Sequence, residues 1–155
     1  MNHILESDSE RATFELGERL ARALASGDVV LLEGELGAGK TSLVRGLASG
    51  LGIDHREISS PTFTIVHEHE FPGGTLYHID AYRLSGVEEL ETIAWDAIVD
   101  DPQGIVVCEW PQRIAAAVGD GTIRMLLRHV GPQQRDIEVR SSDDDSDRFE
   151  AVLGG

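Results

Sequence analysis

Apolar residues recur at helical spacing in two stretches of the amino-terminal third of the chain. The first follows two residues with capping-box spacing, Ser7 and Glu10, and predicts a helix over about residues 9–26. The second follows a glycine-rich loop and ends at glycines, and its apolar face consists of Leu43, Val44, Leu47 and Leu51. The sequence therefore predicts two amphipathic helices with a strand and a loop between them.

Short apolar runs bounded by turn residues predict the strands of a sheet. Two continuous runs, Val29–Glu33 and Ile105–Cys108, are typical of strands that are buried on both faces. An alternating run over residues 62–70 and a return strand over 75–79 flank Pro72-Gly73-Gly74, and this arrangement predicts a hairpin. The remaining predicted elements are a helix over about residues 87–99 and strands over 122–127 and 136–140.

Strands that alternate with helices predict an α/β fold. We expect a mostly parallel central sheet with helices on both faces and an antiparallel hairpin as an addition. A chain of 155 residues has room for one domain, which we place at residues 1–140. The segment 141–155 begins with four aspartates between residues 141 and 147, and it is interpreted as an acidic, disordered tail.

The glycine-rich loop at residues 34–41 reads Gly-Glu-Leu-Gly-Ala-Gly-Lys-Thr, a complete match to the phosphate-binding pattern G-x-x-x-x-G-K-[ST]. It follows a predicted buried strand and opens a predicted helix, which is the context that the motif requires. Lys40 is the only lysine beside twelve arginines, and its compact ammonium suits the β- and γ-phosphates. Thr41 offers a hydroxyl group to Mg²⁺. The motif therefore predicts a P-loop NTPase-like site in which ATP or ADP is bound by Glu35, Leu36, Gly37, Ala38, Gly39, Lys40, Thr41 and Ser42.

Two acids at predicted strand ends are candidates for the catalytic groups. A magnesium nucleotide needs a carboxylate at the end of a neighbouring strand, and both Glu109 and Asp80 end such a strand. We favour Glu109 as the metal-linked group, directly or through water. Asp80 is the candidate for orienting water or for a second metal contact. The alternative, that each is a surface acid at a strand end, stays open in so acidic a chain.

Composition narrows the class of partner. Thirteen basic and twenty-eight acidic residues give a net charge of −15, which argues against a chain that binds nucleic acid by itself.

The single cysteine, Cys108, excludes an intramolecular disulfide. No signal peptide or membrane-spanning stretch is visible, so we expect a cytoplasmic protein. The guanine-reading motif N-K-x-D cannot be built from one lysine and one asparagine, so adenine is the better candidate base.

Taken together, these motifs resemble the TsaE (YjeE) family, the ATPase component of bacterial tRNA threonylcarbamoyladenosine synthesis. The resemblance covers roughly residues 10–113 and rests on five pieces in the family's order. They are Thr13–Gly17, the phosphate loop, Ser60–Phe63, His78–Leu84 and Glu109-Trp110. The phosphate loop is common to many NTPases, whereas S-P-T-F, D-x-Y-R and E-W at these separations are specific.

The resemblance implies an α/β domain that binds ATP with Mg²⁺ and hydrolyses it slowly, in support of turnover by the partner proteins TsaD and TsaB. The tRNA would be reached indirectly, through that complex. By position, Thr13 matches a residue near the adenine, and Trp110 matches a tryptophan beside the site. Glu109 matches a metal-associated glutamate, and Asp80 matches an acid needed for hydrolysis. Residues 60–63 match a switch-like loop.

Two other functions compete with this interpretation. A small-molecule kinase would use the same loop, and Arg113, Arg124 and Arg128 are the only sequence hint of the arginines that such an enzyme brings over the phosphates. A nucleotide-gated binding module, in which hydrolysis is incidental, is the third possibility.

Overall fold

A computed structural model describes the chain over residues 2–35, 39–59, 66–82, 94–112 and 122–153. Within these residues the strands are β1 (Asn2–Ser7), β2 (Val29–Gly34), β3 (Val66–Phe71), β4 (Gly74–Asp80), β5 (Gly104–Glu109), β6 (Ile123–His129) and β7 (Arg135–Arg140). The helices are α1 (Glu10–Ala21), α2 (Lys40–Leu51), α3 (Trp95–Val99) and α4 (Asp143–Leu153), with a short 3-10 turn at His55–Glu57. None of these helices is both long enough and apolar enough to cross a membrane.

The seven strands form one sheet in the order β1-β7-β6-β2-β5-β4-β3. Its centre is parallel, because β2 pairs in parallel with both β5 and β6, and β4 pairs in parallel with β5. Both margins are antiparallel: β3 pairs with β4 on one side, and β7 joins β6 to β1 on the other. The predicted α/β fold with a mostly parallel centre is confirmed, and so is the hairpin.

Each face of the sheet carries its own apolar layer. On one face, α1, α2 and α4 bury Leu20, Leu47 and Phe149 against strand residues such as Val30. On the other face, Trp95 of α3 packs against central residues of β2 and β5. Burial on both sides explains why the central strands read as continuous apolar runs rather than as alternating ones.

Helices α1 and α2 pack so closely that their backbones touch. A Cβ atom added at Gly46 would lie 2.1 Å from the carbonyl oxygen of Phe14, and one at Gly17 would lie 2.6 Å from that of Leu43. Glycine is therefore required on both helices at the crossing. This contact holds the start of α1 beside the start of α2.

The predicted boundaries of the first helix differ from those in the structure. Ser9, rather than Ser7, is the N-cap, and its side chain accepts a hydrogen bond from the backbone N–H of Ala12. The helix ends at Ala21 instead of near residue 26, and the chain turns through Gly27, whose φ is 92°. The hydrogen bond of the Ser9 side chain fixes where α1 begins, and the spacing of apolar residues alone does not locate that position.

Other differences concern the margins of the sheet. Strand β1 was not predicted, because its short and largely polar sequence forms a strand only by pairing with β7. Residues 62–65 of the predicted hairpin strand lie outside the described residues, as do residues 87–93 of the predicted helix. The described part of that helix is α3, and it is followed by β5 as expected.

The prediction of a disordered tail is wrong for the described residues 141–153, which include helix α4. Phe149 is fully buried in the core, and Val152 and Leu153 pack against it. Their spacing of three and four residues gives α4 one apolar face. The guanidinium of Arg148 also bridges to the rest of the domain, since Nη1 donates to Asp28 Oδ2 at 2.9 Å and to the Ala23 carbonyl at 3.0 Å. The folded domain therefore extends beyond the predicted boundary at residue 140.

Replacing Phe149 with Ala tests whether α4 belongs to the fold. Removal of a fully buried phenylalanine leaves a cavity, and we expect the free energy of unfolding to fall by about 3–5 kcal/mol in urea denaturation. Glu150→Ala, an exposed change in the same helix, is the matched control and should stay within about 0.5 kcal/mol of the parent. Equal stability of the two variants would mean that the helix does not dock.

Candidate functional site

The phosphate loop connects the central strand β2 to helix α2. Gly34 ends β2 and Lys40 begins α2, while Leu36, Gly37 and Ala38 lie outside the described residues. Gly39 is the N-cap of α2 and has a φ of 98°, a left-handed conformation that favours glycine. No side chain of the described residues caps this helix. Its first backbone N–H groups, which include those of Thr41 and Ser42, are therefore suited to an anion.

Lys40 is a buried cation, only 7 % exposed. Its Nζ donates to the Gly34 carbonyl at 2.7 Å and lies 3.7 Å from the ring centroid of Trp110. Burial lowers the pKa of this ammonium, while the negative charges of Glu109 and Asp80 oppose that shift. The lysine thus belongs to a desolvated cluster of three charged side chains.

Asp80 and Glu109 lie side by side at the ends of β4 and β5. They are Cα partners in the parallel register, and both side chains are buried. The Ala81 N–H donates to the Glu109 carbonyl at 2.9 Å, which continues the ladder past the end of β4. Asp80 Oδ1 accepts from the Tyr82 N–H at 2.9 Å, a local turn that orients the carboxylate. The alternative that these are surface acids is wrong, because Asp80 and Glu109 are only 4 % and 3 % exposed.

His78 is a site residue that the sequence prediction missed as a functional group. It is fully buried, and its Nε2 lies 2.5 Å from Glu109 Oε2. The alternation of side chains along a strand could have indicated it, because a residue two positions before Asp80 faces the same side of the sheet. His78 therefore reaches across from β4 to the carboxylate at the end of β5.

Trp110 follows Glu109 with a φ of 58°, which is uncommon for a residue with a side chain. This conformation turns the chain at the end of β5 and brings the indole ring over Lys40. The ring also meets Tyr82 at a centroid distance of 5.1 Å, and Tyr82 is 48 % exposed. The predicted position of Trp110 beside the site agrees with this geometry.

Thr13 lies at the crossing of α1 and α2. Its hydroxyl makes a 2.7 Å hydrogen bond with that of Ser7, and its methyl carbon is 3.8 Å from where a Cβ of Gly39 would lie. A cavity of about 530 Å³ opens here, lined by residues that include Ser9, Thr13, Gly39, Ser42, Gln133 and Arg135. Of these, Ser9, Gln133 and Arg135 were not among the predicted site residues. Gln133, in the loop after β6, and Arg135, at the start of β7, reach the cavity through the antiparallel pairing of those strands.

A second, more open cleft of about 830 Å³ lies beside the end of β2. Glu35 and Trp110 line it, together with Gln112, Arg128 and His129. Arg124 and Arg128, considered above as phosphate-binding arginines, make ion pairs with Glu33 at 3.0 Å and Glu138 at 3.6 Å. Arg113 and the switch-like loop at residues 60–63 lie outside the described residues.

The arrangement of oxygen donors suits a magnesium ion that arrives with a nucleotide. Thr41 stands at the start of α2, and Glu109 and Asp80 supply carboxylates at the adjoining strand ends. The described residues contain no group of three or more His, Cys, Asp or Glu side chains that could hold a metal ion by themselves. Mg²⁺ commonly takes one or two carboxylates and completes its shell with water and phosphate oxygens, so these residues fit it.

Comparison with known proteins identifies the family. The family model described as Threonylcarbamoyl adenosine biosynthesis protein TsaE matches residues 7–137. The chain belongs to the TsaE family. Two relatives, each named tRNA threonylcarbamoyladenosine biosynthesis protein TsaE, illustrate the similarity. The Streptomyces coelicolor protein is 45% identical over 121 residues, 76% of this chain and 80% of the relative. The protein from Nostoc sp. is 46% identical over 142 residues, 90% of this chain and 85% of the relative.

A solved structure shares the fold of this chain. The crystal structure of Bacillus subtilus YdiB superimposes with a TM-score of 0.75 and 28% identity, covering 98% of this chain and 94% of that chain. The TsaE family match begins in β1 and ends in β7, so it spans the sheet, the phosphate loop and both carboxylates. Helix α4 follows the matched residues.

The only cysteine of this TsaE-family chain gives a chemical test of the site's geometry. Burial first, and then the charges of Glu109 and Asp80, raise the pKa of the Cys108 thiol to about 12. The thiol therefore stays protonated at pH 8, and we expect a thiol-specific disulfide reagent to react more than about 100-fold faster with the chain unfolded in guanidinium. Equal rates in the folded and unfolded states would contradict the buried position of β5.

Proposed function

We propose that this TsaE-family protein binds ATP with Mg²⁺, hydrolyses it slowly and supports the TsaD–TsaB complex in making threonylcarbamoyladenosine in tRNA. The observation that carries the proposal is the cluster of Lys40, Asp80 and Glu109 around the phosphate loop. Buried charges are unfavourable unless they are paired, and two acids with one lysine suit a ligand that brings both anionic oxygens and a divalent cation.

Each residue of the site has its own role in binding such a ligand. The ammonium of Lys40 exchanges the Gly34 carbonyl for phosphate oxygens, and the first N–H groups of α2 bind the same anion. Thr41 and Glu109 hold the magnesium ion, which when bound offsets the charge of the triphosphate. Asp80, fixed by the Tyr82 N–H, is placed to orient a water molecule for hydrolysis.

The cavity beside Gly39 suits the nucleoside. Its volume of about 530 Å³ lies in the range of small-molecule sites, which is on the order of 300–1,000 Å³. Thr13 borders it through a methyl group, which offers apolar contact to a purine ring. Arg135 from β7 reaches the same cavity. Adenine is the proposed base, since the chain lacks the residues of the guanine-reading motif.

The proposed partners follow from the family and the charge. A net charge of −15 disfavours direct binding of tRNA by this protein, so we propose that tRNA binds to the TsaD–TsaB complex. We place this protein in the cytoplasm, beside that complex. A small-molecule kinase remains the second candidate, because the open cleft beside Glu35 and Trp110 has room for an acceptor next to the loop.

The role of Lys40 is tested by Lys40→Ala. Loss of a charge-assisted contact to phosphate, about 1.5–3 kcal/mol, should weaken ATP binding by about 10- to 100-fold in calorimetry. Arg22→Ala, which removes an exposed cation outside the site, is the matched control and should bind ATP like the parent. Parent-like affinity of Lys40→Ala, with an unchanged melting temperature, would contradict a triphosphate at this loop.

The function itself is tested with γ-labelled ATP, with and without purified TsaD and TsaB. We expect slow release of labelled phosphate by the protein alone, a changed rate with both partners, and co-purification with them that depends on the nucleotide. Label transferred to an added metabolite would favour the kinase. A hydrolysis rate that the partners do not change, together with no co-purification with them, would contradict the proposed role in the complex.

A further inference from the structure

The contact between His78 and Glu109 is a polar pair inside the sheet. Both side chains are buried, and Nε2 of the imidazole lies 2.5 Å from Oε2 of the carboxylate. The two residues come from neighbouring parallel strands: Asp80 is the direct partner of Glu109, and His78 is two residues earlier on the same face. The imidazole therefore approaches the carboxylate from the interior of the sheet, opposite the strand end that meets the phosphate loop.

The hydrogen-bond partners of the ring indicate which nitrogen carries the proton. If the Glu109 side chain is a carboxylate, Oε2 accepts and Nε2 is the donor. Nδ1 is buried and makes no hydrogen bond within the described part of the chain. A buried N–H without an acceptor is less favourable than a buried lone pair without a donor. The contacts thus fit a ring with a proton on Nε2.

This bond restricts the carboxylate of Glu109. A glutamate side chain has several rotatable bonds, and a fixed donor on Oε2 limits which directions the other oxygen, Oε1, can face. The ring itself is completely buried, and the ring of His67 lies nearly perpendicular to it at a centroid distance of 6.5 Å. Packing alone would be served by an apolar side chain of similar volume, so the polar contact calls for another explanation.

We propose that His78 is a positioning residue: its Nε2–H holds Oε2 of Glu109 so that Oε1 is presented to the magnesium ion, or its water, at the phosphate loop. This inference rests on the proposed function, in which Glu109 serves the metal. Hydrogen-bonded groups behind a metal ligand commonly change metal affinity or activity by about 10- to 100-fold when they are removed.

Three variants separate positioning from packing. His78→Leu removes the donor. His78→Gln places an amide nitrogen the same number of bonds from the backbone as Nε2 and restores it. His69→Leu removes a second, partly buried imidazole from the adjoining strand β3 and is the matched control. Each variant is measured for melting temperature, for ATP affinity in the presence of a chelator, and for the Mg²⁺ concentration that gives half-maximal hydrolysis.

We expect His78→Leu to raise the half-maximal Mg²⁺ concentration by about 10-fold or more, while metal-free ATP affinity changes by less than about 2-fold. The Gln variant should recover most of the loss, and His69→Leu should match the parent. In combination with Glu109→Gln, His78→Leu should add little, since it acts through that carboxylate. A parent-like Mg²⁺ dependence in His78→Leu, or additive effects in the double variant, would overturn the inference.

A measurement on the unmodified protein covers the case in which His78→Leu does not fold. Long-range ¹H–¹⁵N spectra of the imidazoles report the tautomer of each ring, and we expect His78 to carry its proton on Nε2. A proton on Nδ1 alone would overturn the inference, because Nε2 would then have nothing to donate. Failure of the parent protein to bind ATP at all would instead contradict the proposed function, and the two failures are thereby distinguished.

Discussion

The site depends on the parallel register of β4 and β5, which places Asp80 directly beside Glu109. Two buried carboxylates at adjacent strand ends repel each other, and the ammonium of Lys40 is the cation that compensates them. The lysine is supplied by the neighbouring strand β2 through the phosphate loop. Three consecutive strands of the sheet therefore meet at one charged cluster, and a shift of one residue in either pairing would separate its members.

Two further contacts hold the ammonium of Lys40 in this cluster: a hydrogen bond to Gly34 and the indole ring of Trp110. The Gly34 carbonyl accepts from Nζ, and the Trp110 ring covers the same ammonium. The left-handed conformation of Trp110 is the backbone feature that brings the ring there. Residues held in such conformations concentrate at functional sites. Here the conformation of Trp110, the residue after Glu109, turns the chain back so that the indole ring lies over Lys40.

A second constraint is the crossing of α1 and α2. Because the helices touch at Gly17 and Gly46, Thr13 comes close to Gly39, and both residues line the cavity of about 530 Å³. A larger residue at either glycine would separate the helices and widen that cavity. Helix α4 packs on α1, where Arg19 Nη2 donates to the Val152 carbonyl at 3.4 Å, and Arg148 forms an ion pair with Asp28, just before β2. The carboxy-terminal helix thus supports the element that lines the cavity, although its acidic sequence resembles a solvated tail.

The sequence by itself determined the central strands and the family, and it predicted a phosphate loop, because these depend on local patterns: apolar runs, short motifs and a glycine spacing. It also indicated Asp80 and Glu109, since acids that end parallel strands share one edge of the sheet. Only the tertiary structure decided what long-range pairing controls. Strand β1 exists because β7 pairs with it, α4 folds because the core accepts Phe149, and His78 meets Glu109 because two strands lie in register. These contacts join residues far apart in the chain, and no local pattern specifies their partners.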